Sequence, residues 1–168
     1  MKPFLKTKDF SVSGEEFELL HDEELDMLVT KPQPENLDAY YQSDNYISHT
    51  DANTSFVDKA YQIIKRFSLT RKVNLITKRT KGQKTLLDIG AGTGDFLLAA
   101  KNAEWRINGV EPNQDARMRA NEKGIDLVPS MESLPSEKYS VITLWHVLEH
   151  LPDLENQTLE IIRHLEKD

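Results

Sequence analysis

Cysteine is absent from this 168-residue chain. Its absence excludes disulfides, thiolate metal sites and a cysteine nucleophile together, and it points to the cytoplasm as the compartment. Long apolar runs are missing too. None approaches the roughly 18 residues that a membrane-spanning helix needs, and Lys2 is followed by no signal-like apolar core. Nor is there an excess of basic charge: 21 Lys and Arg stand against 28 Asp and Glu, a formal net charge of −7. An acidic balance is a poor starting point for nucleic-acid binding, which needs a clustered basic surface against phosphate. What is present is ordinary for a soluble globular protein, with 38% hydrophobic and 29% charged residues. The length fits one domain, or one with a small appendage.

The charge is unevenly spread. Residues 1–50 carry 4 basic and 11 acidic side chains, residues 51–84 carry 9 and 2, and residues 85–168 carry 8 and 15. The basic middle reads either as a nucleic-acid patch or as a solvated helix face able to dock on its acidic flanks, and the second reading is the simpler one.

Three segments follow from the patterning: a small leader over 1–50, a helical connector over 51–84 and an α/β half-domain over 85–168. In the leader, Phe17 to Leu20 and Leu25 to Val29 read as a hairpin across the acidic turn His21-Asp22-Glu23-Glu24, stopped by Lys31-Pro32-Gln33-Pro34. A short helix is expected from Pro34 through Tyr40 and Tyr41. The connector has Asn53 or Thr54 as a cap and an apolar face of Phe56, Ala60, Ile63, Ile64 and Phe67. Its phase slips near Ser68-Leu69-Thr70, which predicts a break before Val73 and Ile76.

From residue 85 strands and helices alternate, which implies a parallel sheet with helices on its faces. Strands are expected at Thr85–Ile89, Arg106–Val110, Ile125–Val128 and Tyr139–Trp145. Helices are expected at Asp95–Asn102, from Pro112 to about Lys123 with Gly124 as its stop, and at Pro152–Glu166.

Two motifs carry chemistry. Leu86-Leu87-Asp88-Ile89-Gly90-Ala91-Gly92-Thr93-Gly94-Asp95 places glycines at alternate positions after a strand, so the backbone turns tightly and approaches a ligand without side chains in the way. The turn opens into a helix whose N-terminal amides favour an anionic group. Seventeen residues beyond Gly94, Glu111 ends the next strand just before Pro112. An acid there accepts hydrogen bonds from both hydroxyls of a ribose, or else simply complements the dipole of the helix it precedes. At the fourth strand, His146, Glu149 and His150 form a third group. They read either as acid–base or cation-holding residues, or as caps and packing for the next helix.

These three stretches, Leu87–Gly94, Val110-Glu111-Pro112 and Val141–His150, resemble successive motifs of class I S-adenosylmethionine-dependent methyltransferases. The glycines run G-x-G-x-G, whereas dinucleotide-binding dehydrogenases space theirs G-x-G-x-x-G. The resemblance covers residues 85–168. It implies a Rossmann-like, mostly parallel sheet with helices on both faces, and S-adenosylmethionine as cofactor. Asp88 with Gly90, Ala91, Gly92 and Gly94 would hold its methionine part, and Glu111 beside Pro112 its ribose. Relatives often place an acid after the third strand for the adenine amino group. Ser130 stands there instead, leaving adenine to Ser130 and Met131. Trp145 and His146 to His150 would line the sulfur and the acceptor pocket.

The leader resembles that of some bacterial methyltransferases through Lys8–Glu15, Val29–Pro34 and Tyr40–His49. In many of those it is a zinc-ribbon-like module with paired cysteines. With none here, a metal-free hairpin is expected, with His21 and His49 as surface or capping residues. Tyr40, Tyr41 and Tyr46 would cover the cleft or merely attach the leader.

The family sheet has seven strands, and this chain stops in the helix after the fourth. The Val141–Trp145 edge would then be open, and three explanations stand. The chain is part of a longer protein, two copies pair edge to edge as a homodimer, or the leader covers the edge. A truncated protein is the favoured reading, with dimerisation as its consequence. The expected activity is methyl transfer to a small-molecule acceptor. A catalytically silent nucleotide- or partner-binding module is the alternative, and a nicotinamide-dependent oxidoreductase a weaker third.

Overall fold

The computed structural model describes residues 1–10, 12–34 and 56–167, with side chains from residue 61 onward in the last stretch. The chain folds into two compact units, Met1–Asp58 and Lys59–Asp168. Expectations for the Pro34 helix, the Asn53 or Thr54 cap, Tyr40, Tyr41, Tyr46 and His49 lie outside the described residues.

The first unit holds the expected hairpin, extended by one further strand into an antiparallel meander. Its strands are β1 (Lys2–Lys8), β2 (Glu16–Asp22) and β3 (Met27–Lys31), in the order β1-β2-β3. Lysines and a proline disguise β1 in the sequence, yet Lys6 and Lys31 both lie opposite Glu18, and Lys8 opposite Glu16. The β2–β3 turn is set by Asp22, whose carboxylate accepts the amides of Glu24 and Leu25 at 3.0 and 3.2 Å. Leu25 therefore belongs to the turn, and β3 starts two residues later than expected. His21 Nε2 lies 3.2 Å from Asp26 Oδ1.

The second unit is α/β. Its elements are β4 (Thr85–Ile89), α2 (Asp95–Asn102), β5 (Arg106–Val110), α3 (Gln114–Glu122), β6 (Val141–Thr143) and α4 (Leu154–Arg163), preceded by α1 (Phe56–Arg79). The sheet order is β5-β4-β6, all parallel, with β4 buried throughout at its centre. Alternation along β4 divides the core. Leu86 faces α1 and α2 with Val73, Ile76, Phe96, Leu97 and Ala100. Leu87 and Ile89 face the other way, toward Val110, Tyr139 and Ile161 of α4. Helices thus cover both faces, and each fully buried leucine contributes about 1.5–3 kcal/mol of burial free energy.

Five expectations are corrected. Helix α1 is unbroken: Thr70 satisfies its hydroxyl on the Arg66 carbonyl at 2.9 Å, and the phase slip marks a change of environment instead. Ile63, Ile64 and Phe67 are exposed, while Leu69, Val73 and Ile76 meet the core. Helix α3 starts after Asn113, whose side chain accepts the Ala116 amide, so Pro112 precedes the helix rather than filling its first turn. The strand expected over Ile125–Val128 is a single parallel bridge, Val110 to Val128. Pro129, with no N–H, cannot extend the ladder. The strand expected over Tyr139–Trp145 pairs with β4 only over Val141–Thr143. The long apolar edge expected there is consequently short, and Tyr139 at its start is bridged in parallel by Leu165. Helix α4 likewise starts at Leu154 rather than Pro152.

Candidate active site

The candidate residues gather at the carboxyl ends of β4, β5 and β6, where open α/β sheets bind their ligands. The glycine turn leaves β4 with Gly90, Gly92 and Gly94 at φ of 70°, 55° and 74°, values that side chains rarely adopt. Two of these glycines also sit in tight surroundings. A Cβ on Gly90 would lie 2.4 Å from Val147 Cγ2, and one on Gly94 would press on Ala120 and Ile125 at 3.1–3.3 Å. Gly92 differs, because a Cβ there would project into open space.

The turn is tied to β5. The amides of Gly90 and Ala91 both donate to the Val110 carbonyl, at 2.8 and 3.0 Å. Glu111 then reaches back, its carboxylate accepting the Gly92 amide at 2.8 Å and the Asn113 amide at 2.9 Å. Arg117 caps the carbonyls of Glu111 and Pro112.

Asp88 lies beneath the turn, 3% exposed, and accepts the Thr143 hydroxyl at 2.6 Å from β6. Burial pushes its carboxyl up to about 7, against the pull of the Thr143 bond and the Lys72 charge, with Glu111 adding to the rise. Asp95, at the start of α2, is clamped between Lys65 at 2.8 Å and Lys123 at 2.9 Å. Its burial would raise the carboxyl, but these bonds and charges outweigh it and hold the group below the usual carboxylate range.

Trp145 sits just beyond β6, edge-on to Phe96 with ring centroids 5.5 Å apart and with the Lys72 ammonium 4.3 Å from its ring centre. It packs toward α1 and α2. His146, at φ 58°, and Glu149 are exposed, with Nδ1 and Oε1 3.8 Å apart, and His150 is exposed on the same short turn. Ser130 precedes a turn at Met131–Ser133, its hydroxyl 3.4 Å from that of Ser133, and Met131 packs on the second core. The structure therefore joins the glycine turn to Glu111 through a direct bond, while Asp88 is bonded to Thr143. It leaves the His146–Glu149 pair facing solvent. An open groove of about 520 Å³ beside α3, lined by Arg117, Met118 and Leu127 among others, contains none of the candidate residues.

Lys65, Lys72, Thr143 and Lys123 were not singled out from the sequence. Lys65 and Lys72 are seven apart on α1, two helical turns, and therefore share a face. That spacing is visible in the sequence, but which face meets the glycine turn is not.

A family model for the methyltransferase domain matches residues 60–168. The chain belongs to the methyltransferase domain family. The class I recognition drawn from the three motifs is thereby borne out, and so is the Rossmann-like α/β fold. The ubiquinone biosynthesis O-methyltransferase of Serratia proteamaculans is 32% identical over 94 residues, 49% of this chain and 39% of that protein. The match thus spans well under half of that relative's length. In fold, the family member resembles magnesium protoporphyrin IX methyltransferase from Synechocystis PCC 6803, with a TM-score of 0.52 at 17% identity over 74% of this chain and 66% of that one. It also resembles the plantazolicin methyltransferase, with a TM-score of 0.54 at 18% identity over 77% of this chain and 52% of that one. Among the described residues no helix is long and apolar enough to cross a membrane.

Proposed function

We propose that the second unit binds S-adenosylmethionine across the ends of β4, β5 and β6 and serves methyl transfer to a hydroxyl of a small cytoplasmic molecule. One observation carries the reading. Glu111 and Gly92, the centres of the two motifs, are joined by a 2.8 Å bond at a point where a Cβ on Gly92 would meet nothing within 4 Å. The donor set also suits the group chemically. The start of α2 favours a carboxylate, Asp88 an ammonium, and Glu111 a pair of hydroxyls. The solved structures with bound S-adenosylmethionine or S-adenosylhomocysteine, and the O-methyltransferase relative, support cofactor and reaction class.

S-adenosylmethionine supplies a methyl group already activated on a sulfonium, so much of the acceleration can come from alignment. The chain's own residues orient and enclose. The Gly90–Gly94 backbone and Asp88 take the amino-acid end, Glu111 the ribose, and Ser130 and Met131 the adenine. Trp145 packs the wall beside Phe96. His146, Glu149 and His150 would meet the acceptor, with Glu149 able to take up a hydroxyl proton.

Calorimetry with S-adenosylhomocysteine tests the reading. Micromolar binding by the wild type, lost in Gly92→Arg, supports it, since that side chain would occupy the open space beside Gly92. A folded wild type that fails to bind overturns it. The solvent exposure of His146 and Glu149 favours one second reading, a binding module without turnover. Binding without methyl transfer to any acceptor would select that reading.

A further inference from the structure

Helix α1 carries two apolar stripes on opposite sides. Leu69, Val73 and Ile76 meet the core. Phe67 stands two residues before Leu69, about 200° round the helix. With Ile63 and Ile64 it forms a ridge that the core does not use: Ile63 is 71% exposed, Ile64 67% and Phe67 65%. Four-residue steps carry the ridge on through Arg71 to the exposed Leu75, and the Arg71 guanidinium lies 5.8 Å from the Phe67 ring centre. Single exposed apolar side chains are ordinary, but three bulky ones side by side on a convex helix mark a contact surface.

The charge of the same helix is one-sided. From Tyr61 to Arg79 it has six basic side chains and no acidic one. Two of them turn inward: Lys65 pairs with Asp95 at 2.8 Å, and the Lys72 ammonium lies 4.3 Å from the Trp145 ring centre. Arg66, Arg71, Lys78 and Arg79 are exposed. Residues 85–168, by contrast, carry 8 basic and 15 acidic side chains. An anionic surface therefore repels most of the α/β unit and attracts the outer side of α1.

This combination selects among occupants. A second copy would set two cationic helices against each other, and like charges oppose such a pairing. A nucleic acid would use the cations but leave Ile63 and Ile64 without a partner. An anionic bilayer uses both, with cations at the headgroups and branched or aromatic side chains at the boundary with the acyl chains. The helix is not apolar enough to cross, so it would lie on the surface. We propose that the outer side of α1 docks on an anionic lipid surface, with Ile63, Ile64 and Phe67 inserted and Arg66 and Arg71 at the headgroups. The inference does not depend on the cofactor reading.

Flotation of the full chain with vesicles tests it. Phosphatidylcholine vesicles with about one-third phosphatidylglycerol should carry the protein, pure phosphatidylcholine vesicles should carry little, and added salt should release it. Arg66→Gln/Arg71→Gln should weaken binding about twentyfold, at about fivefold for each cation. Ile63→Ser/Phe67→Ser should weaken it about tenfold or more. Phe67→Trp should add an emission component that shifts to shorter wavelength with the anionic vesicles only. All these side chains are exposed, and thermal melts verify that each variant is folded. A wild type that does not float with anionic vesicles overturns the proposal. So does a serine pair that binds like wild type while the glutamine pair does not, which would mark attraction without insertion. Self-association dispersed by the serine pair, with no vesicle binding, would overturn it in favour of a second copy.

Discussion

Glu111 accepts the backbone amide of Gly92 at 2.8 Å, so an acid at the end of one strand fixes the crest of the turn that follows its neighbour. The same carboxylate accepts the Asn113 amide at 2.9 Å. One side chain therefore sets the spacing between the glycine turn and the start of α3, and its free lone pairs remain for hydroxyl donors. Removing it should cost order and affinity together. Glu111→Ala is expected to weaken S-adenosylhomocysteine binding by about tenfold or more, since hydrogen bonds to a charged group are worth roughly 1.5–3 kcal/mol. Glu111→Gln, which keeps one acceptor, should lose less. Calorimetry on both variants checks the order.

Gly90 and Gly92 should respond unequally to a single methyl group. At Gly90 the added Cβ meets Val147 Cγ2 at 2.4 Å on a backbone at φ 70°, so Gly90→Ala should destabilise the unit by about 1–3 kcal/mol. At Gly92 nothing lies within 4 Å, leaving only the backbone strain of about 1 kcal/mol. Gly92→Ala should thus remain folded while losing cofactor affinity. Denaturant melts beside binding isotherms separate the two, and similar melts for both variants would contradict the packing argument.

Asp88→Asn should stabilise the protein while destroying the proposed ammonium contact. The folded carboxyl is raised to about 7, so the native state binds a proton more readily than the unfolded chain between roughly pH 4 and pH 7. Wild-type stability accordingly falls as pH rises through that window, by at most on the order of 4 kcal/mol. The asparagine variant lacks this loss. Its advantage should grow up to pH 7 and stay level above, as read by thermal melts at several pH values. This is the usual conflict between a stable core and a strained functional group.

Asp95 should behave in the opposite sense. Lys65 and Lys123 hold its carboxyl below the unfolded value, so the stability it contributes is present above the unfolded pKa and is lost as pH falls through the lower folded one. Asp95→Asn is expected to cost about 1–3 kcal/mol at pH 7 and much less near pH 2. A cost independent of pH would mean that packing, not charge, decides this position.

Some of this architecture was legible without coordinates. The Thr85–Ile89 strand, the Asp95–Asn102 helix and the Arg106–Val110 strand appear with the boundaries their local signals give. A short apolar run, a turn that only glycines can make and a helix with an acid in its first turn are interactions between near neighbours. The roles proposed for Asp88, Gly92 and Glu111 came with the family resemblance, which rests on residue type and spacing in the same way.

The remainder depended on contacts between distant residues. Whether α1 breaks at Ser68–Thr70 was decided by Leu69, Val73 and Ile76 finding the sheet, not by its own periodicity. Ile125–Val128 has the composition of a strand, yet only Val128 bridges a neighbour before Pro129 ends the ladder. β1 is recognisable only once its lysines lie opposite the glutamates of β2. The ionisation of Asp88 is set by burial, by Thr143 fifty-five residues away and by a lysine on another helix. Sequence by itself determined the family, the glycine turn and the order of the central elements, since these rest on short-range chemistry. Tertiary structure alone decided which lysines face the turn and that the Asp88 carboxyl is raised by burial, since electrostatics and burial depend on distances that no spacing along the chain specifies.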